Sequence, residues 1–310
     1  MLGHLRRADP LLFCAAIALA TATFPLRALR WRVILRARDG APFPLRPLWH
    51  ATAAGFMANN LLPARAGEVT RAYLAAQQLP VAFTTALASI AVERVFDGLT
   101  MVGLLTVALA APSFPRAAVV GGISLSDLAG WAAALFGAAL LVALLVVHRP
   151  TWWLGLFARL TGAVLSPRRA ARLTQLAESL LAGLAVLKSP GRFATVVGWS
   201  LALWVVNALS FVVCFRAFGL HVPSLGAFVL QGLIGFGVAL PSSPGFFGPF
   251  EAVTRVTLGF YGIAADQAVS YAVAYHLGGF LPITVLGLHS LSRSHLRLGE
   301  LRQVETAVEP

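Results

Sequence analysis

Apolar residues run through this chain in long continuous blocks, not in strict alternation. Residues 128–147 and 193–215 carry no charge, and 267–292 hold only His276 and His289 as ionisable groups with a charge near neutrality. A helix needs roughly 20 apolar residues to cross a bilayer. Inside hydrocarbon only helices and closed barrels satisfy their own backbone, and barrel strands alternate apolar with polar. The pattern therefore predicts an all-α, polytopic membrane helix bundle. Its expected full spans lie near 10–29, 72–92, 98–115, 128–147, 193–215 and 266–290, about six in all.

Two further apolar stretches are broken by proline. One runs over 47–64 and ends at Pro63; the other, 217–250, is interrupted by Pro241, Pro244, Gly245, Gly248 and Pro249. Proline removes a backbone donor and ends a helix, so both are expected to be re-entrant hairpins. They also resemble each other. GFMANNLLPARAGEVTR (55–71) and GFGVALPSSPGFFGPFEAVTR (235–255) each run Gly-Phe, apolar residues, Leu-Pro, a Gly-containing break, then Glu, Thr and Arg. With one hairpin entering from each side, the halves 10–115 and 193–290 would form an inverted repeat within a single domain, an arrangement that builds midplane sites in many transporters.

Composition agrees with a membrane protein: 58% hydrophobic, 12% charged, mean hydropathy +0.79. A soluble domain carries about 25% charged residues. The net charge of +12 comes from 23 arginines and one lysine against 12 acids. These bases sit between apolar spans, where positive-inside bias explains them, so nucleic acid is not expected as a partner. Basic loops at 27–46 and 148–192 and the C-terminus are assigned to the cytoplasm. Within 148–192, Leu173, Leu176, Leu180, Leu184 and Leu187 share a helical face with Arg168, Arg169 and Arg172 off it, the pattern of an interfacial amphipathic helix. The excess of arginine and alanine fits a GC-rich bacterial genome. Cys14 and Cys214 form no CxxC pair.

Eight ionisable residues interrupt the apolar stretches: Arg65, Glu68, Arg71, Glu93, Arg94, Asp97, Glu251 and Arg255. Each costs roughly 2.5–3.5 kcal/mol at a helix centre, so together, unpaired, they would exceed a fold's usual margin of about 5–15 kcal/mol. Four acids and four bases make a neutral set. Spacing allows Glu68–Arg71, Arg94–Asp97 and Glu251–Arg255 to pair along helices, leaving Glu93 for Arg65 or Arg71. The set reads either as a polar path for a lipid headgroup or as ion pairs pinning the hairpins. The helix starts after Pro63 and Pro241 present free N–H groups to an anion, Gly245 permits close backbone approach, and Asn59 and Asn60 are expected to satisfy carbonyls freed at the first break. His276 is a candidate gating or titrating group, or a hydrogen-bonded core histidine. No HExxH, GxSxG, P-loop or dinucleotide fingerprint is present, so neither an enzyme nor a cofactor is expected.

The segments LRALRWRVIL (26–35), GFMANNLLPARAGEVTRAYL (55–74), SIAVERVFDGL (89–99) and LPSSPGFFGPFEAV (240–253) resemble the flippase-like family, the transmembrane region of lysylphosphatidylglycerol synthases and its stand-alone relatives. The resemblance covers nearly the whole chain. It implies a polytopic inner-membrane protein linked to lipid translocation. It also implies functional roles for Asn59, Pro63, Arg65, Gly67, Glu68, Arg71, Glu93, Arg94, Asp97, Pro241, Pro244, Gly245 and Glu251. By that resemblance the soluble aminoacyltransferase domain and a span that usually comes first are expected to be missing here, and His276 stands where many relatives carry arginine. Relatives in hopanoid pathways make a polyprenyl- or hopanoid-type lipid one implied substrate class. The alternatives are a non-transporting subunit or a lipid-modifying enzyme among envelope-lipid biosynthesis enzymes.

Overall fold

The computed structural model describes residues 2–37, 39–62, 66–115, 118–120, 122–237 and 243–293. They form an all-α bundle of twelve α-helices: α1 (Leu2–Arg7), α2 (Pro10–Ile34), α3 (Leu45–Leu61), α4 (Ala66–Gln78), α5 (Phe83–Leu109), α6 (Leu125–His148), α7 (Pro150–Val164), α8 (Pro167–Gly183), α9 (Pro190–Ala217), α10 (Gly226–Gly237), α11 (Pro249–Gly259) and α12 (Ala265–Arg293). A two-residue antiparallel pair, Val119–Val120 with Ile123–Ser124, precedes α6.

Local chemistry sets the helix starts. The Asp9 carboxylate accepts from the N–H groups of Leu11 and Leu12 at 2.9 and 3.1 Å, with Pro10 in the first turn of α2. Ser124 caps α6 through the Asp127 N–H. Such caps satisfy donors that the helix itself leaves free. After α9, Gly219 takes a positive φ of 63° and Leu220 N–H donates back to the Phe215 carbonyl at 2.8 Å, which closes the helix end.

Four helices (α2, α6, α9 and α12) are long and apolar enough to cross a bilayer. A fifth, α5, is 27 residues long but carries Glu93, Arg94 and Asp97 around its middle. Fewer spans are thus seen than the six expected, because 72–92 is not one element. Helix α4 stops at Gln78, Pro80 follows, and α5 then runs unbroken through Glu93, Arg94 and Asp97. The proline ends the helix; the charges do not, because each finds a partner on another helix.

The two proline-broken regions are pairs of short helices packed on each other, α3 with α4 and α10 with α11. At 17, 13, 12 and 11 residues, none reaches the roughly 20 residues of a full span. Pro63 and Pro241 fall outside the described residues. Where α3 meets α4, a Cβ on Gly67 would come within 2.0 Å of the Gly55 carbonyl, so only glycine permits this approach.

The halves pack as exchanged partners. Helix α2 runs along α9, α3 packs on α12, and α10 packs on α5. Swapping α2, α3 and α5 for α9, α10 and α12 reproduces this contact pattern. The chain directions of α2 and α9 are opposed: Asp9 N–H at the start of α2 donates to the Ala217 carbonyl at the end of α9 at 2.8 Å.

The two largest apolar cores lie at either end of α2 and α9. One gathers Trp31, Leu48, Leu74, Ile90, Phe96 and Val196; the other gathers Phe211, Phe215, Leu230, Leu258, Tyr271 and Tyr275. Helices α2 and α9 contribute to both, and their middle portions carry polar groups. Outside, Trp131, Leu135, Leu141, Val205, Leu281 and Val285 are exposed, an apolar belt for lipid. Segment 148–192 is α7, α8 and a short 3-10 stretch; Leu173, Leu176 and Leu180 are exposed on α8 and Leu184 and Leu187 are half-buried.

Close packing of α12 on α3 generates a prediction. A Cβ at Gly287 would lie 2.2 Å from Met57 Cβ and 2.7 Å from the Ala53 carbonyl, whereas at Gly103 it meets nothing. Overpacking costs about 1–3 kcal/mol, so Gly287→Ala should lower the melting temperature of the purified protein by roughly 3–10 °C. Gly103→Ala, a change on the outward face of α5 worth less than about 0.5 kcal/mol, should leave it in place.

Candidate functional site

A layer of charge forms where the last third of α2 meets α4 and the middle of α5, with α9 adding Ser200 and Trp204. Arg30 is fully buried; its Nη1 donates to Asp97 Oδ1 at 2.6 Å and to the Ser200 hydroxyl at 2.9 Å, and its Nε lies 3.6 Å from Glu93 Oε1. Glu93, also fully buried, accepts from Arg71 Nη1 at 2.5 Å. The Arg71 guanidinium stacks on Trp31, 3.8 Å from the ring centre, and Trp31 in turn donates to the Ser89 hydroxyl. Asp97 also accepts from the Trp204 indole at 2.9 Å and meets Arg94 at 3.2 Å. Glu68 sits at the wet margin, 3.7 Å from Arg94, with both side chains about one third exposed.

Arg27 is the outlying member. It is 8% exposed, and its Nη1 reaches Asp97 only at 3.8 Å. Its guanidinium rests against Phe56 and Trp204 at 5.0 and 5.2 Å. Its Nε and Nη1 have no hydrogen-bond acceptor among the described residues.

The expected pairings are revised accordingly. Arg94–Asp97 forms as the spacing predicted, and Glu93 takes Arg71, one of its two candidates. Glu68 turns to Arg94 and not to Arg71, while Glu251 turns to His276 and not to Arg255. Arg255 is exposed and makes no ion pair among the described residues. Arg65 lies outside the described residues. The larger correction concerns Arg27 and Arg30. Both fall within the segment 27–46 assigned to a basic cytoplasmic loop, yet α2 continues to Ile34 and buries them. Their signal was available: LRALRW places the two arginines three residues apart, on one helical face, inside an unfinished apolar helix.

The second proline-broken region forms a separate polar group. After residues 238–242, where Pro241 lies outside the described residues, Pro244 opens a short 3-10 turn and Gly245 and Phe246 take positive φ of 67° and 61°. The Gly248 N–H donates to Glu251 Oε2 at 2.7 Å, a cap at the start of α11. Glu251 Oε1 lies 2.6 Å from His276 Nδ1, and His276 Nε2 lies 2.8 Å from the Gly245 carbonyl. Phe247 and Phe250 flank the imidazole, each 4.4 Å away. Nε2 faces only an acceptor, so it carries hydrogen. Nδ1 and Glu251 then share one more proton, placed on either. The pair sums to zero charge both ways.

The two breaks meet. A Cβ on Gly245 would be 3.2 Å from the Asn60 carbonyl, and Asn60 Nδ2 donates to Thr284 Oγ1 at 2.9 Å on α12. Asn59 takes a role the sequence did not suggest: its side-chain oxygen accepts from the Gly67 N–H at 2.8 Å, so it caps the start of α4. Between the charged layer and the Glu251–His276 pair lies a cleft of about 250 Å³. Arg27, Asn60, Asn207, Gly245, Tyr275 and His276 contribute to its walls. Sequence reasoning missed Arg27 and Asn207, because nothing local in an apolar helix marks which face a cleft will open on; Tyr275, singled out with His276, does line it.

Fold and site together define an all-α multi-pass membrane protein with a polar layer and a cleft within its helices. The chain belongs to the family described as the lysylphosphatidylglycerol synthase TM region, whose pattern matches residues 2–287. It is 30% identical to glycosyltransferase AglD of Haloferax volcanii over 87% of this chain, and spans 46%, less than half, of that protein's length. Two UPF0104 membrane proteins of Methanothermobacter thermautotrophicus are 25% and 24% identical over 93% of this chain, covering 85% and 86% of their own lengths. No solved structure matches.

Breaking a buried ion pair by removing one partner costs about 3–5 kcal/mol, whereas an exposed pair is worth about 0–1 kcal/mol. Glu93→Ala, which strands Arg71 and loosens Arg30, should therefore abolish most monodisperse protein on gel filtration. Glu68→Ala should preserve it.

Proposed function

We propose that this protein moves a lipid headgroup across the bacterial inner membrane, along the cleft between Arg27 and the Glu251–His276 pair, while the tails stay in the bilayer. The observation that carries the reading is the cleft itself. A space of about 250 Å³, walled mainly by apolar side chains with Arg27, Asn60, Asn207 and His276 set among them, is far larger than the roughly 10–15 Å³ that admits one water. It is too small to enclose a whole two-tailed lipid. A headgroup needs such a wet passage because an unsolvated charge in hydrocarbon is prohibitively costly.

The half-span lengths of α3, α4, α10 and α11 support hairpins that enter from opposite faces, and the antiparallel course of α2 and α9 supports the inverted relation. Segment 148–192, with its exposed leucines and arginines, is then the cytoplasmic interface, with the C-terminus on the same side. In this reading the chain transports and does no covalent chemistry. The likeness to AglD favours a second reading, in which the chain serves a lipid-linked glycan pathway. It would carry a polyprenyl-type lipid, or act as a non-transporting subunit beside a glycosyltransferase.

Gly279 lines the cleft, and a side chain there meets no atom within 4 Å, so Gly279→Leu should fill the passage without disturbing the ion pairs. In liposomes reconstituted with purified protein, headgroup crossing should fall at least tenfold in Gly279→Leu and stay at the wild-type rate in Gly103→Leu. Wild-type crossing no faster than in protein-free liposomes, across several lipid classes, overturns the transport reading.

A further inference from the structure

The charges around the cleft do not balance. Among the described residues, the layer holds Arg27, Arg30, Arg71 and Arg94 against Glu68, Glu93 and Asp97. The Glu251–His276 pair adds nothing, wherever its proton resides. One positive charge is left over, and geometry locates it. Glu93 lies between Arg71 and Arg30, and Asp97 accepts from Arg30 at 2.6 Å and contacts Arg94 at 3.2 Å. Arg27 has only the 3.8 Å contact.

Arg27 is held chiefly by aromatic faces. Phe56 and Trp204 take the flat face of the guanidinium, an interaction that uses the ring quadrupole and none of the N–H groups. Nε and Nη1 are buried with no hydrogen-bond acceptor among the described residues, and the side chain lines the cleft, so the surplus charge borders that space. A buried cation without a partner is costly, and a phosphodiester, with its single negative charge, removes that cost.

We infer that the cleft is an anion site, in which Arg27 receives the phosphate of a phosphodiester headgroup with net charge near −1. This deepens the transport reading by naming the substrate class, and it rests on the cleft being where the headgroup enters. Asn60 spends its amide hydrogens on the Phe280 carbonyl and Thr284, Asn207 gives one of its two to Gln231, and His276 is engaged by Glu251 and Gly245; none of these adds a cation. Arg27 is therefore the cation that discriminates between headgroups.

The full chain in detergent should be titrated with short-chain phosphatidylglycerol, phosphatidylcholine, diacylglycerol and a trimethylammonium diacyl lipid, with binding read by thermal shift and native mass spectrometry. Phosphatidylglycerol should bind at least tenfold more tightly than diacylglycerol, and the cationic lipid most weakly. Arg27→Gln should reduce the tenfold preference to under threefold, and Arg27→Lys should retain part of it. If soluble glycerophosphoglycerol displaces phosphatidylglycerol, the site takes the phosphodiester from either source; if it does not, the site takes the lipid-borne group alone. Equal binding of phosphatidylglycerol and diacylglycerol by wild type overturns the inference, as does an unchanged preference in Arg27→Gln. Should Arg27→Gln fail to fold, the wild-type ranking of the four lipids decides. Phosphatidylglycerol binding through Arg27 with no headgroup crossing sinks transport and leaves the site standing. Crossing that ignores headgroup charge and Arg27 sinks the site and leaves transport standing.

Discussion

The structure depends on a buried guanidinium. Arg30 has no exposed surface and touches Asp97, Glu93 and Ser200 at once. That places one residue of α2 against two turns of α5 and the middle of α9. In hydrocarbon the hydrophobic effect does not draw helices together, so association relies on packing and on polar groups that have no other partner. A guanidinium in this position is costly wherever its partners are not, so it fixes the register of three helices simultaneously. Buried ion pairs are weak evidence for added stability; their value here is in specifying one arrangement.

From that register the rest of the site follows. With α2 set against α5 and α9, Trp31 lies under Arg71, and Arg71 reaches Glu93 from α4. The first hairpin is thereby tied to the charged layer. Arg27, one turn nearer the start of α2, is carried past the acids to the edge of the cleft. The second hairpin arrives independently, held by glycine and phenylalanine in left-handed conformations at its break and by the Glu251–His276 pair. Its break abuts Asn60 of the first hairpin, so the cleft is bounded by both halves of the chain.

Relatives of different length fit this picture. The chain spans most of the UPF0104 proteins but less than half of AglD, so the same helix bundle occurs both nearly alone and as one part of a larger protein. The region shared among them is the one that forms this membrane bundle, and the polar layer lies within it.

Much of this was legible without coordinates. Long uncharged blocks dictated helices, because hydrocarbon leaves the backbone no other way to satisfy itself. The prolines marked the broken pairs, and the i,i+3 spacing of Arg94 and Asp97 fixed their contact, since both rules act within a few residues. Tertiary structure alone decided which charges belong together. Glu93 with Arg71, Glu251 with His276, and Arg30 between two acids join residues 22, 25 and 67 positions apart. No local rule ranks such partners, and cytoplasmic-loop bias and buried pairing predict the same arginines equally well. The difference for Arg27 and Arg30 lay in how far α2 continued, and that was set by acids on another helix.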